Sequence, residues 1–321
     1  MKQIHIITII ILLVFGFIAP GIALSEKTHD VRRFNYEGDG RLNLVCPKNG
    51  LSFNGRFRKG KAIYDKKALN KINRLFGADN DKPVSNVSLR LIEFLDYLED
   101  TFHPGAKIII ASGYRSPQYN ADLRNKGRLA AKASLHQYGM AADIRILGTS
   151  SKRVWNVIKK LGFGGTGYYH GKFVHVDVGP KRFWDEKTSG VGTNISIHNK
   201  LIGIVTDYDV YLPGDMIALR FIRMTSFPVG VSPEFVLERV EKNGRLKKIT
   251  RFKPVFATDA PSRCPQFSDI GEMMGIGWKL PSDIPPGRYK IRACFCQKEW
   301  KDMPAQVLTP AFHISRHASA K

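Results

Sequence analysis

His136, Asp143, His175 and Asp177 are metal-ligand residue types confined to two short segments, Ser134 to Asp143 and Phe173 to Gly179. Two imidazoles and one carboxylate form the donor set of a catalytic zinc, whose fourth position stays open for water. For that chemistry the side chains must converge. Read as a strand, Ala141 to Leu147 sends Ile144 and Ile146 to a core and turns Asp143 and Arg145 to the opposite face, toward a cleft. Gly139 permits the turn that brings His136 back over that face. In the second segment Val174, Val176 and Val178 alternate with Phe173, His175 and Asp177, so a core of valines projects His175 and Asp177 together from the other side. Singly each residue has a plainer reading: a histidine is more often a hydrogen-bonded surface residue, and Asp143 can pair with Arg145. Three such groups on cleft-facing positions of core strands are harder to explain that way, because burying them costs free energy unless they are satisfied.

The surrounding pattern is α+β. Extended pieces at Leu42 to Val45 and Leu51 to Phe57 precede a helix from Asp65 to Phe76. A longer helix follows from about Val87 to Phe102, with Leu89, Ile92, Leu95 and Leu98 at helical spacing and Pro104-Gly105 ending it. The strand Lys107 to Ala111 holds three consecutive isoleucines, which predicts burial on both faces. A helix at Pro117 to Asn125, the Ala141 to Leu147 strand, a helix at Lys152 to Leu161 and the Phe173 to Val178 strand complete this part. Ser189 to Thr193 has a linker's composition. Beyond it, short alternating runs separated by Pro213-Gly214, Asn243-Gly244 and Pro285-Pro286-Gly287 predict an all-β sandwich of immunoglobulin-like type over 195–321.

The 321 residues fit two domains, and 43% hydrophobic with 24% charged residues excludes wholesale disorder. A net charge of +22 favours polyanionic surroundings. The nearly unbroken apolar run Ile6 to Ile18 after Lys2, followed by Ala19-Pro20-Gly21-Ile22-Ala23, predicts a signal peptide over 1–23 and a periplasmic or secreted protein. Export makes nucleic acid an improbable partner, leaving an anionic wall polymer; membrane contact is expected only if the signal is uncleaved. Of the four cysteines, Cys294 and Cys296 share a strand face and cannot pair without strain, so Cys264 is expected to pair with one of them.

Three segments carry a family resemblance. Ser112-Gly113-Tyr114-Arg115-Ser116-Pro117, the Ser134-x-His136-x-x-Gly139-x-Ala141-x-Asp143 pattern, and His175-Val176-Asp177, with Gly167-Tyr168-Tyr169 before it, occur in this order. Over residues 40–187 the chain resembles the zinc D-alanyl-D-alanine metallopeptidase superfamily, which shares its fold with hedgehog, and within it the murein endopeptidase branch. The resemblance implies Zn2+ held by His136, Asp143 and His175, with Arg115 and Asp177 as catalytic residues. Arg115 would lie beside the scissile carbonyl or anchor a substrate carboxylate. Asp177 would orient the water or hold a ligand imidazole, with His170 as a second candidate base. One departure is visible: the superfamily's carboxypeptidases place a glutamate three residues before the last zinc histidine, and Lys172 stands there. The endopeptidase branch lacks that glutamate too. The implied function is hydrolysis of cross-link or stem-peptide bonds in peptidoglycan; the alternative is a non-catalytic, zinc-containing wall-binding protein. A protein or wall component is the expected ligand of the β-domain.

Overall fold

The computed structural model describes residues 31–78, 86–128, 130–189, 194–256, 263–273 and 275–316. The expected signal segment and positions 190–193 of the expected linker lie outside them. Among the described residues no helix is long and apolar enough to cross a membrane.

The N-terminal half comprises β1 (Arg41–Cys46), β2 (Leu51–Arg56), β3 (Arg58–Gly60), β4 (Ile63–Tyr64), α1 (Lys66–Leu75), α2 (Leu89–Phe102), β5 (Lys107–Ser112), α3 (Pro117–Asn125), β6 (Ala141–Ile146), α4 (Ser151–Leu161), β7 (Gly165–Tyr168), β8 (Val174–Asp177) and β9 (Arg182–Asp185). The helix starts follow from local chemistry. Asp65, Ser116 and Ser150 each accept a backbone N–H of the first turn of α1, α3 and α4, and Pro117 opens α3 where no donor is needed. Gly162, at φ 65°, ends α4 in the left-handed conformation.

Seven strands form one mixed sheet in the order β2-β1-β5-β6-β8-β7-β9. One core holds Leu91, Phe94 and Leu95 of α2 together with Ile108, Ile110, Ile144, Ile146, Val174 and Val176 of the sheet. The expectation of burial on both faces of β5 is corrected by Ile109, which is only half-buried. It lies opposite Arg145, on the face that carries Asp143 and away from Ile108 and Ile110.

Among the described residues the C-terminal half has a 3-10 segment at Asn194–Asn199 and then strands: β10 (Gly203–Thr206), β11 (Val210–Tyr211), β12 (Met216–Ile222), β13 (Val229–Gly230), β14 (Phe235–Val240), β15 (Leu246–Phe252), β16 (Gln266–Phe267), β17 (Ile276–Lys279), β18 (Gly287–Cys294), β19 (Gln306–Leu308) and β20 (Phe312–Ile314). One sheet runs β10-β12-β17 and another β11-β20-β18-β14-β15, with β19 also on β18. Their facing side chains, among them Phe221, Phe235, Tyr289, Ile291 and Phe312, make a second core. Cys264 pairs with Cys296, while Cys46 and Cys294 are free thiols.

The halves meet through buried polar contacts. Arg90 of α2 donates to Asp209 (3.0 Å) and to the Thr206 carbonyl (2.8 Å), and Arg33 pairs with Asp215. Tyr138 accepts from the Met224 amide at its hydroxyl (3.0 Å) and from Arg220 at its carbonyl (3.2 Å). Val205, Ile222 and Ile270 enter the first core.

Candidate active site

Strand register brings the two segments together. In the antiparallel β6–β8 pair Asp143 stands opposite His175, and across β7–β8 Gly167 stands opposite His175. His136 comes from the short 3-10 turn Leu135–Tyr138. Gly139 follows at φ 62°, its backbone so close to Asn86 that an added Cβ would sit 2.3 Å from that carbonyl oxygen. Only glycine both adopts this φ without strain and fits the approach.

Each imidazole is oriented by its outer nitrogen. His136 Nδ1 lies 2.7 Å from the Gly113 carbonyl, which accepts its proton and leaves Nε2 as a lone pair. His175 Nε2 lies 3.0 Å from Asp177 Oδ2, which turns Nδ1 inward. The inward atoms form a triangle: His136 Nε2 to His175 Nδ1 is 3.3 Å, His175 Nδ1 to Asp143 Oδ1 is 3.1 Å, and His136 Nε2 to Asp143 Oδ1 is 3.6 Å. Ligands about 2.0–2.1 Å from a tetrahedral zinc are separated by about 3.3–3.4 Å. The edges bracket that spacing, so these three residues can hold a divalent ion.

The electrostatics favour a cation at the same point. Burial alone would raise the Asp143 carboxyl, but His136 and His175 beside it hold it well below the usual carboxylate range. Burial likewise opposes ionisation of Asp177, and Arg182, His175 and the Gly179 amide overcome it. Burial pushes the His136 imidazole down, keeping it neutral and able to coordinate. Burial also acts against a charged His175, yet hydrogen bonds to Asp143 and Asp177 lift its pKa above the ordinary value. In this anionic setting a metal ion can take the place of that proton.

Arg115 donates from Nη2 to Asp143 Oδ2 (2.8 Å) and from Nε to Ser112 Oγ (2.9 Å). Asp177 is fully buried and receives Arg182 (2.7 Å) and the Gly179 amide (2.9 Å) as well as His175. His170 instead bonds the Asp185 carboxylate (2.7 Å), and Lys172 is exposed. A second carboxylate group, Asp39, Asp96 and Asp100, contains no histidine and already receives the Asp39 and Gly40 amides.

His136, His175 and Arg115 line a cavity of about 570 Å³. Four further residues around it were not among the site residues expected from the sequence. Tyr169 donates to Asp143 Oδ1 (3.2 Å), Arg182 braces Asp177, and the Trp184 ring lies 4.9 Å from that of His175. Glu186 is the carboxylate among the cavity's lining residues. The tyrosine lay within a quoted motif, but the other three sit on β9 and the turn after it, where mixed composition gives no periodicity to read.

Comparison with known proteins gives the family. The profile of the family described as Peptidoglycan L,D-endopeptidase MepK matches residues 38–184. The Peptidoglycan L,D-endopeptidase MepK proteins of Escherichia coli strain K12 and Shigella flexneri are each 32% identical over 168 residues, covering 51% of this chain and 92% of the relative. A relative from Haemophilus influenzae is 44% identical over 80 residues, 25% of this chain and 43% of its own. The aligned half accounts for nearly all of the first two relatives, so the β-rich half is additional to them. With a third of the positions shared over almost their whole length, this chain belongs to the MepK family of peptidoglycan endopeptidases.

Proposed function

We propose that this chain is an exported zinc metallopeptidase that hydrolyses peptide bonds in peptidoglycan, with His136, Asp143 and His175 as the zinc ligands. The observation that carries the reading is the triangle of inward-facing donor atoms with edges of 3.1, 3.3 and 3.6 Å. Bound zinc supplies Lewis-acid polarisation of a carbonyl and a water acidic enough to act as nucleophile near neutral pH. The chain's own groups do the rest. Asp177 acts as a positioning residue: saturated by Arg182, Gly179 and His175, it holds an imidazole and has no access to a substrate. Arg115 uses two donors on Asp143 and Ser112 and keeps others for the substrate carbonyl oxygen, whose growing negative charge it stabilises. Tyr169 gives its one hydroxyl proton to the same carboxylate and helps to orient it. Glu186 takes the proton from the attacking water and returns it to the leaving amine, the work a glutamate at the position of Lys172 does elsewhere in the superfamily.

The unit spanning 40–187 then carries the chemistry and that spanning 195–321 forms an immunoglobulin-like domain with a wall or protein ligand. Its strand orders support this: β10-β12-β17 matches the A-B-E sheet, and β20-β18-β14-β15 matches G-F-C with an added C′ strand.

The test is incubation of purified mature protein, wild type and His136→Ala, with intact sacculi, following soluble muropeptides by chromatography and bound metal in parallel. Release by wild type, abolished by chelation and by His136→Ala, is expected. Bound zinc with identical chromatograms for both proteins would overturn catalysis and leave the wall-binding alternative.

A further inference from the structure

The appended half does more than sit beside the site: Arg223, Ile195 and Leu201 line the same cavity as His136 and His175. Resting on the hydrolase reading, we propose that the β-rich half completes the substrate cleft and that Arg223 binds a carboxylate of an acidic peptide substrate.

Arg223 follows β12 directly and adopts φ 60°, a left-handed conformation uncommon for a residue other than glycine. The contacts on its C-terminal side fix the backbone there. The Met224 amide donates to the buried Tyr138 hydroxyl, and the Thr225 amide donates to Asn199 Oδ1 (2.7 Å). Strain so firmly held needs a purpose, and its result is a guanidinium delivered to the cavity wall.

That guanidinium is under-satisfied. Its Nη2 is buried without a hydrogen-bond partner among the described residues. Other buried arginines here meet carboxylates: Arg33 pairs with Asp215, Arg58 with Glu93 and Arg90 with Asp209. In the cleft, Asp143 is paired with Arg115 and Asp177 with Arg182, so Asp177 reaches Arg223 through its charge and not through a hydrogen bond. Burial, followed by the nearby Arg182 charge, lowers the Arg223 pKa to about 10. The cavity lining as a whole carries six basic groups against Glu186. An unpaired, partly desolvated guanidinium matches a carboxylate, which it can engage through parallel N–H donors. Ile195, 57% exposed, and Leu201 add an apolar lip for the aliphatic part of the same residue.

The ligand is thus a peptide whose free carboxylate lies away from the scissile bond, either a side-chain carboxylate or the C-terminus. The test is fluorescence-anisotropy titration of full-length, zinc-loaded protein with a stem-peptide analogue whose scissile amides are N-methylated to survive the measurement. Three forms are compared: all carboxylates free, side-chain carboxylates amidated, and the C-terminus amidated. Wild type should bind the free acid about 10- to 100-fold more tightly than one of the amidated forms, and that form identifies the carboxylate. Arg223→Gln should abolish the preference, Arg223→Lys should retain part of it, and thermal unfolding of both should match wild type or exceed it. An Arg223→Gln protein with the wild-type preference, or a wild type that binds none of the peptides or does not discriminate among them, overturns the proposal. Muropeptide release is scored separately. A wild type that prefers the acid but releases nothing refutes the hydrolase reading alone, and one that releases muropeptides while Arg223→Gln keeps the preference refutes only the carboxylate site.

Discussion

Asp177 offers the sharpest perturbation, because its carboxylate has no exposed surface and three partners. It accepts from His175 at 3.0 Å, from the Gly179 amide at 2.9 Å and from Arg182 at 2.7 Å. Truncating one member of a buried ion pair costs about 3–5 kcal/mol. Arg182 is 30% exposed and can turn toward solvent, so Asp177→Ala is expected at or just below the bottom of that range, about 2–3 kcal/mol. The metal-free protein should show this in urea unfolding. Losing the acceptor behind His175 frees the ring to rotate and lowers its basicity, which typically weakens metal binding by about 10- to 100-fold. Competition with a chromophoric zinc chelator measures that directly. Asp177→Asn separates the effects by keeping the shape and one acceptor while removing the charge; a zinc affinity between those of wild type and Asp177→Ala is expected. Gly165→Ala gives an independent check, since its Cβ would lie 2.2 Å from Asp177 Oδ2 and must displace the carboxylate. If Asp177→Asn binds zinc within about threefold of wild type yet releases no muropeptides, Asp177 acts on substrate rather than through His175, and the positioning role is wrong.

Glu186→Gln should lower kcat by about 100- to 10,000-fold with zinc affinity unchanged; a change confined to KM would remove Glu186 from proton transfer. Glu93 and Asp96 on α2 give a pH dependence of stability, because burial pushes their carboxyl pKa values up to about 7 and about 8. Unfolded, such groups ionise near pH 4, so their contribution is complete below that and lost as pH rises through 7 to 8. The urea midpoint should therefore fall between pH 5 and pH 8, and a slope unchanged in Asp96→Asn would contradict the assignment. Gly167→Ala would place a Cβ 2.4 Å from the Trp184 indole, which must move from its place beside His175. We expect about 1–3 kcal/mol of destabilisation, read by thermal unfolding together with quenching of tryptophan fluorescence on zinc addition. Full wild-type stability would mean that the indole is not held as described.

Most helices and core strands were legible because their signals are local. Asp65, Ser116 and Ser150 announce helix starts, and the strands Met216–Ile222 and Phe235–Val240 fall where alternation placed them. Strands β7 and β9 were not legible. Gly165–Tyr168 has two glycines in four residues, and Arg182–Asp185 mixes charge with aromatics, so both gain strand structure only from neighbours in the sheet. The half-buried Ile109 shows the same limit from the other side: an apolar run states what can be buried, not which face receives a helix.

The sequence by itself determined that His136, Asp143 and His175 belong to one constellation, since strand alternation fixes the face of each side chain and a glycine marks the returning turn. Register and packing decided the remainder. Which nitrogen of each histidine points inward depends on Gly113 and Asp177, 23 and 2 residues away, and so on which chain segments the sheet brings into contact. For Asp177, expected either to orient the water or to hold a ligand imidazole, burial against His175 with Arg182 folded back over it from β9 supports the second role. Arg223 reaches the cleft from the other half of the chain. No periodicity carries that information, because proximity between distant segments is set by how two apolar cores dock, and docking is a property of surfaces that exist only after each core has formed.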